Sequence, residues 1–493
     1  MTSATEVTGS VAPSAVIGNA IGSANLALAG LSLSMLMASL DTSIANAGLP
    51  VLASVFSASF QQVQWVVLSY LLAVTTLIVS AGRLGDVMGR RKLLLLGIVV
   101  FTVASTACGA APSLGILIAA RAAQGLGAAI MMSLTLAFVA ETVPKERTGR
   151  AVGLLGVMSA VGTALGPPLG GFLISGSGWR AMFLVNVPLG IVAFILAYCF
   201  LPANRKSGEV TAVAFDAWGT ILLALAIGAY SLAMTVGRGR FGAINIALIF
   251  AALVGIALFM SVESRVKDPL VRLSMFRNYR FSSSLIASSL VSTVMMSTLV
   301  VGPFYLSRAL GLSPMHLGLA LSVGPAVVAL VGVPAGRLAD RMGAIKIAIY
   351  GLCTMVTGSL FLATTSREYG ILGYIAPIIF LTAGYSLFQT ANNTSIISGI
   401  SPDMRGVVSG MLNLSRNLGL ITGASAMGAI FAFASGTADV ATAQPHSVDL
   451  GLRITFTVTT ILLMGALALI SWNRIASTQE SALTRNNPIF ESR

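Results

Sequence analysis

An aspartate stands inside an otherwise apolar run. The segment Leu40-Asp41-Thr42-Ser43-Ile44-Ala45-Asn46-Ala47-Gly48-Leu49-Pro50 follows Leu31, Leu33, Met35, Leu36 and Met37 with no other charge nearby. An ionised Asp at the centre of a membrane span costs about 2.5–3.5 kcal/mol, and the usual reason for bearing that cost is proton or ion handling. Asp41 is the one acid read as lying well inside an apolar stretch. Glu141, Asp216 and Glu263 fall at the ends of such stretches, and the remainder, Asp449 among them, fall in loops or tails. Two arginines are embedded as well, Arg121 and Arg416. Arg121 lies roughly 10 Å into its stretch at 1.5 Å per residue, in the same half of the membrane as Asp41. A neighbouring guanidinium favours a charged carboxylate, and apolar burial favours a neutral one. A group held between these opposing effects changes protonation when its surroundings move. The plainer alternative is a static ion pair that only joins two helices. Arg416 has no embedded acid in its own half, so backbone carbonyls or an anionic group of a substrate must satisfy it.

The elements that position these residues follow from composition. The chain is 56% hydrophobic and 9% charged, with a mean hydropathy of +0.90, whereas a soluble chain carries about 25% charged residues. About fourteen apolar stretches are long enough to span a bilayer. The net charge of +13 does not point to nucleic acid, because most Lys and Arg fall in alternate loops. The positive-inside rule then puts those loops and both termini in the cytoplasm. Residues 1–23 contain no Lys or Arg, which excludes an ordinary signal peptide and reads as a mobile tail. Residues 474–493 read as a second tail. Cys108, Cys199 and Cys353 are too far apart for a metal motif, and two histidines offer no metal centre. No G-x-x-x-x-G-K-[ST] or G-x-S-x-G is found, which disfavours an ATP-driven pump and an enzyme. No cofactor is expected beyond protons as a coupling ion.

An internal repeat organises the chain. Gly82-Arg83-Leu84-Gly85-Asp86-Val87-Met88-Gly89-Arg90-Arg91-Lys92 recurs, degenerate, as Gly336-Arg337-Leu338-Ala339-Asp340-Arg341-Met342-Gly343. Pro144-Lys145-Glu146-Arg147 recurs as Pro402-Asp403-Met404-Arg405 at nearly the same spacing. Two matches at one offset argue for duplication. Two six-span bundles result, at residues 24–202 and 280–473, with two helices and a linker inserted at 203–279. Parallel halves with a site between them describe a secondary transporter.

The motifs resemble those of the major facilitator superfamily, in particular its fourteen-span drug:proton antiporters. Residues 82–92 are similar to the signature loop G-x-L-x-D-x-x-G-R-K/R. Residues 40–50 are similar to the first-span motif L-D-x-T-I-V-N-x-A-L-P, with departures at Ser43, Ala45 and Gly48. Arg121-Ala122-Ala123-Gln124-Gly125 is similar to R-x-x-Q-G in the fourth span. Gly162-Thr163-Ala164-Leu165-Gly166-Pro167-Pro168-Leu169-Gly170-Gly171 resembles the antiporter motif G-x-x-x-G-P-x-x-G-G. Trp179-Arg180 through Asn186, Pro188 and Gly190 resembles W-R-x-x-F-x-x-N-x-P-x-G of fourteen-span exporters. The resemblance implies an all-α polytopic fold, two six-helix bundles plus two central helices, in a bacterial inner membrane. It implies proton-coupled efflux of lipophilic or amphipathic organic compounds by alternating access. Export of one metabolite, import on the same fold, or a membrane sensor are the alternatives. The expected partners are a small organic substrate, protons and the bilayer; a monomer is expected, and a periplasmic adaptor is left open.

Each motif also has its own physical reading. Gly85 and Gly89 permit a tight reversal, and Asp86 suits a neighbouring helix N-terminus. With Gly82, Arg83, Arg90 and Arg91 they form a conformational latch. Gly162, Gly166 and Gly170 share one face, and with Pro167 and Gly171 they form a smooth packing surface whose prolines bend the helix. Asp41 and Arg121 are the proton-coupling pair. Met37, Asn46 and Gln124, together with Tyr385, Gln389 and Asn393 on one helical face and Asn413 and Arg416, are the candidate cavity residues.

Overall fold

The computed structural model describes residues 14–142, 148–202, 217–236, 242–266, 276, 278–397, 405–436 and 444–486. The described residues are helical, with no strand among them. Helices α1 (Ser14–Val55), α2 (Phe60–Met88), α3 (Arg90–Ala110), α4 (Leu114–Thr142), α5 (Thr148–Ser177), the single turn α6 (Ala181–Leu184) and α7 (Asn186–Phe200) make the first bundle. Helices α8 (Ala217–Thr235) and α9 (Ala243–Glu263) form a hairpin. The second bundle comprises α10 (Tyr279–Phe304), α11 (Pro314–Met342), α12 (Ala344–Thr364), α13 (Gly370–Ile397), α14 (Arg405–Thr422), α15 (Gly428–Ala434) and α16 (Pro445–Asn486). Two π-helical turns, Tyr305–Ala309 and Gly423–Met427, continue α10 and α14. Among the described residues, thirteen segments are long and apolar enough to cross a membrane, and Trp218–Met234 in α8 is a shorter apolar helix. The protein is a multi-pass membrane protein.

Helix extends into both tails. Helix α1 begins at Ser14, and α16 runs to Asn486. Residues 474–486 are polar but rich in Ala, Arg, Gln, Glu and Leu, which are good helix formers. Asp449 is also not in a loop. It falls in the second turn of α16, which starts at Pro445 and buries it to 4% exposure.

The duplication extends into the backbone. Gly89 joins α2 to α3 at φ 90°, and Gly343 joins α11 to α12 at φ 91°. Only glycine takes that conformation without strain. The crossings inside each bundle match too. A methyl group on Gly127 of α4 would lie 2.6 Å from the Phe101 nitrogen of α3, and one on Gly351 of α12 would lie 2.6 Å from the Phe388 nitrogen of α13. Small residues let these backbones touch, as helix packing in lipid requires.

The loops that carry Arg90, Arg91 and Lys346 mark one end of the molecule, here the basic end. The far end holds the α1–α2, α3–α4 and α10–α11 connections. Contacts joining the halves gather at the far end. Phe60 meets Phe304 and Phe431 with ring centroids 4.7 Å and 5.2 Å apart. Gln64 Nε2 donates to the Ala424 carbonyl at 2.9 Å, and Arg308 Nη2 donates to Ser54 Oγ at 2.8 Å. The hairpin stands at one flank, where α8 packs on α2 and on the π turn Gly423–Met427.

Candidate functional site

Asp41 lies within the first bundle with no exposed surface. Its carboxylate gathers donors from two other helices. Oδ2 pairs with Arg121 Nη1 of α4. Oδ1 accepts from Gln124 Nε2 of α4 and from Asn186 Nδ2 of α7, both at 2.8 Å. Residues Arg121 and Gln124 stand three apart, so one helix face presents both. A second layer fixes them. Arg121 Nε donates to the Val66 carbonyl at 3.0 Å, and Nη1 also donates to Gln124 Oε1 at 2.7 Å. Gln124 Nε2 also reaches Ser105 Oγ of α3 at 2.5 Å. The guanidinium lies over the Tyr70 ring at 4.4 Å, a cation–π contact that strengthens where water is excluded. The cluster is incomplete: Arg121 Nη2 and Asn186 Oδ1 are buried without partners among the described residues.

Sequence reasoning named Asp41, Arg121 and Gln124 but missed three contributors. Asn186 was quoted within a motif yet given no role, although it is the one amide in the apolar helix α7. Ser105 and Tyr70 carried no signal, since a Ser or Tyr in a span is commonplace. Cys108, too far from the other cysteines for a metal motif, donates weakly through Sγ to Gln124 Oε1 at 3.7 Å.

A separate cavity of about 240 Å³ lies between the halves. Ala160 and Thr163 of α5 face Met295, Leu299, Leu321, Tyr374 and Tyr385 of the second bundle across it. None of the described side chains that line it is charged. Of the candidate cavity residues, Tyr385 lies on this wall. Met37, Asn46 and Gln124 do not; each is buried inside the first bundle. There Gln124 serves the carboxylate and Asn46 Nδ2 donates to the Thr42 carbonyl at 3.0 Å. Gln389 and Asn393 lie one and two turns along α13 from Tyr385, and each keeps a buried oxygen without a partner. Asn413 and Arg416 lie half-buried on α14.

The glycine face of α5 serves two neighbours. Gly162 and Gly170 pack on α1, where added methyl groups would meet the Leu36 carbonyl at 2.5 Å and Ile44 at 2.8 Å. Gly166 meets Ser43. Gly171 instead faces the other half, against the Pro314 carbonyl, and the Pro167 carbonyl abuts Gly318. Gly171→Ala is therefore expected to weaken the far-end closure, whereas Gly162→Ala is expected to loosen the first bundle itself. Spin-label distances across the far end would lengthen in the first variant, and thermal stability would fall in the second.

In the signature loop, Gly89 makes the reversal. Gly85 is helical, and its correction is one of role: its missing Cβ admits Leu134 of α4, which a methyl group would meet at 2.7 Å. Gly82 is looser, with Ser133 Oγ at 3.6 Å. Arg91 stacks over the Tyr198 ring at 5.6 Å and donates to the Tyr198 carbonyl at the end of α7. Arg90 packs beside Gly85. The side chains of Arg83 and Asp86, central to the latch reading, lie outside the described residues.

A buried acid held by Arg, Gln and Asn, beside a cavity between duplicated six-helix units, agrees with comparison to known families. Residues 31–424 match the Major Facilitator Superfamily. The chain belongs to that superfamily. Its relatives include the multidrug resistance protein Stp of Mycobacterium tuberculosis, 32% identical over 85% of this chain and 78% of that protein. The riboflavin transporter RibZ of Clostridioides difficile is 30% identical over 80% of this chain and 86% of that protein. Among solved structures, a bacterial homologue of the lysosomal transporter Spinster, inward-facing and occupied, superposes with a TM-score of 0.67 at 16% identity, covering 90% of this chain and 95% of that one. At that identity the likeness concerns the superfamily fold alone.

Proposed function

We propose that this chain is a proton-coupled exporter of lipophilic or amphipathic organic compounds, of the fourteen-span drug:proton antiporter type, with α8 as the short fourteenth span. The observation that carries the reading is the enclosed Asp41 carboxylate, satisfied by donors from α4 and α7. Protonating Asp41 in this arrangement would leave Arg121 buried without a counter-charge. An opposite charge at 4 Å is worth about 4 kcal/mol at an effective dielectric constant of 20. The closed cluster therefore joins the carboxylate to its counter-charge, and Asp41 is the group that exchanges the coupling proton when the bundle moves. By the positive-inside rule the basic end faces the cytoplasm of a bacterial cell, both termini included. The far-end contacts then seal the outer side.

One cycle follows. With the outer side open, Asp41 takes a proton from the medium. Rocking closes the far end, and the proton leaves to the cytoplasm as Arg121 re-forms its pair. Each charge moved across 100 mV supplies about 2.3 kcal/mol, enough to drive an organic solute against its gradient. The uncharged cavity wall favours neutral or weakly cationic solutes over dications. The name of Stp supports multidrug efflux; that of RibZ supports a single-metabolite transporter as a second reading, for which an aromatic wall of Tyr374 and Tyr385 is the favouring feature.

Purified protein in liposomes with an imposed pH gradient tests the proposal. Several chemically unrelated dyes should move against their gradients, each with counter-movement of protons. Transport that ignores the pH gradient would sink the coupling, and movement of riboflavin alone would select the second reading.

A further inference from the structure

The far end of the second bundle carries a buried acid that the cluster around Asp41 does not use. Asp449 of α16 is 4% exposed, and its Oδ1 has no partner among the described residues. Tyr305 is fully enclosed, and its hydroxyl also lacks a partner. The π turn that begins with Tyr305 packs directly on α16, which brings the phenol within electrostatic reach of the carboxylate. Other charges converge there. Arg453 and the exposed His446 come from α16, and Arg367 stands just before α13, each near enough to act on the carboxylate. Tyr374 of α13 stacks against Tyr305 with ring centroids 6.0 Å apart. Helix α15 and the far half of α12, also packed against α16, contribute no titratable group.

The same π turn carries the outer contacts between the halves. Phe304, immediately before it, meets Phe60, and Arg308 within it bonds Ser54. A π turn is a common mark of a functional site in a helix. Its neighbour here is a carboxylate whose enclosure with one bare oxygen is costly while it is charged.

We propose that Asp449 is a second proton-binding site, which acts through Tyr305 and the π turn to close the outer gate. When the far end is open, the carboxylate meets the external medium and takes up one proton, becoming a neutral carboxyl. Closure then encloses it without burying a charge, and reopening returns the proton to the same side. Acid outside thus favours the closed far end, which is the direction an inward proton needs. The inference deepens the transport reading, but its test needs no substrate.

Spin labels on Ser113→Cys and Thr364→Cys, exposed at the far ends of the two halves, would report the gate in the full chain with Cys199 and Cys353 replaced by serine. In an Asp41→Asn background, acidifying the medium should still shorten the distance. Adding Asp449→Asn should leave it short at every pH. His446→Gln should leave the response intact. The proposal is overturned if the Asp41→Asn chain shows no response to pH, if Asp449→Asn does not change that response, or if His446→Gln removes it. Should Asp449→Asn fail to fold, Tyr305→Phe removes only the hydroxyl; a shifted midpoint supports the link, and an unshifted one refutes it. Failure of dye transport in liposomes would bear on the exporter reading and not on this gate.

Discussion

Asp41→Asn is expected to abolish proton-driven efflux, a loss of two orders of magnitude or more if the acid carries the coupling proton, while the chain still inserts. The asparagine keeps the size of the side chain and one oxygen acceptor, so Gln124 or Asn186 retains a partner. What disappears is the ionisable group. Arg121 is left without its counter-charge, and breaking a buried pair costs about 3–5 kcal/mol when nothing else compensates. Here the Val66 carbonyl, Gln124 Oε1 and the Tyr70 face remain, so the loss of thermal stability should sit at the low end of that range. Exchange of substrate down its own gradient should survive. Gradient-driven efflux that persisted at equal expression would remove Asp41 from the coupling site.

Arg121 separates a working pair from a static one. Arg121→Ala leaves Asp41 enclosed with no cation, so the deprotonated form becomes costly. The pH profile of proton release on adding substrate should then change, and turnover at neutral pH should fall about tenfold or more. Arg121→Lys should restore part of the charge but neither the fork to Asp41 and Gln124 nor the planar contact with Tyr70. The informative measurement is the pH profile of substrate-induced proton release. If that profile does not move and only the yield of folded protein drops, Arg121 is a structural joint between helices.

Much of the fold was legible because lipid imposes simple rules. Apolar length gives the spans, and Lys and Arg give the loops, so each apolar stretch lies in a helix. The glycine motifs at 89 and 343 announced the duplication. What the sequence did not reveal concerns orientation around a helix axis. Gly85 and Gly89 look alike in a motif, yet one turns the chain and the other admits Leu134. Asn46 and Gln124 seemed equally suited to a cavity wall or a bundle interior, and the need of one carboxylate for donors drew Gln124 inward. Asp449 was misread because a polar first turn looks like a loop until the helix register is known. The π turns had no signal at all, since they depend on packing against α16 and α2.

The shortness of α8 has a consequence for the membrane itself. Its 19 residues reach about 28 Å at 1.5 Å per residue, slightly less than a hydrocarbon core of about 30 Å. This helix leans on both α2 and the turn at Gly423–Met427. Hydrophobic mismatch at that flank costs a fraction of a kcal/mol per Å, and it is borne where the halves shear past each other. Acyl-chain length thereby becomes a determinant of turnover: liposomes of thicker lipid should slow the rocking even when the pH gradient, the substrate and every side chain at the proton site are unchanged.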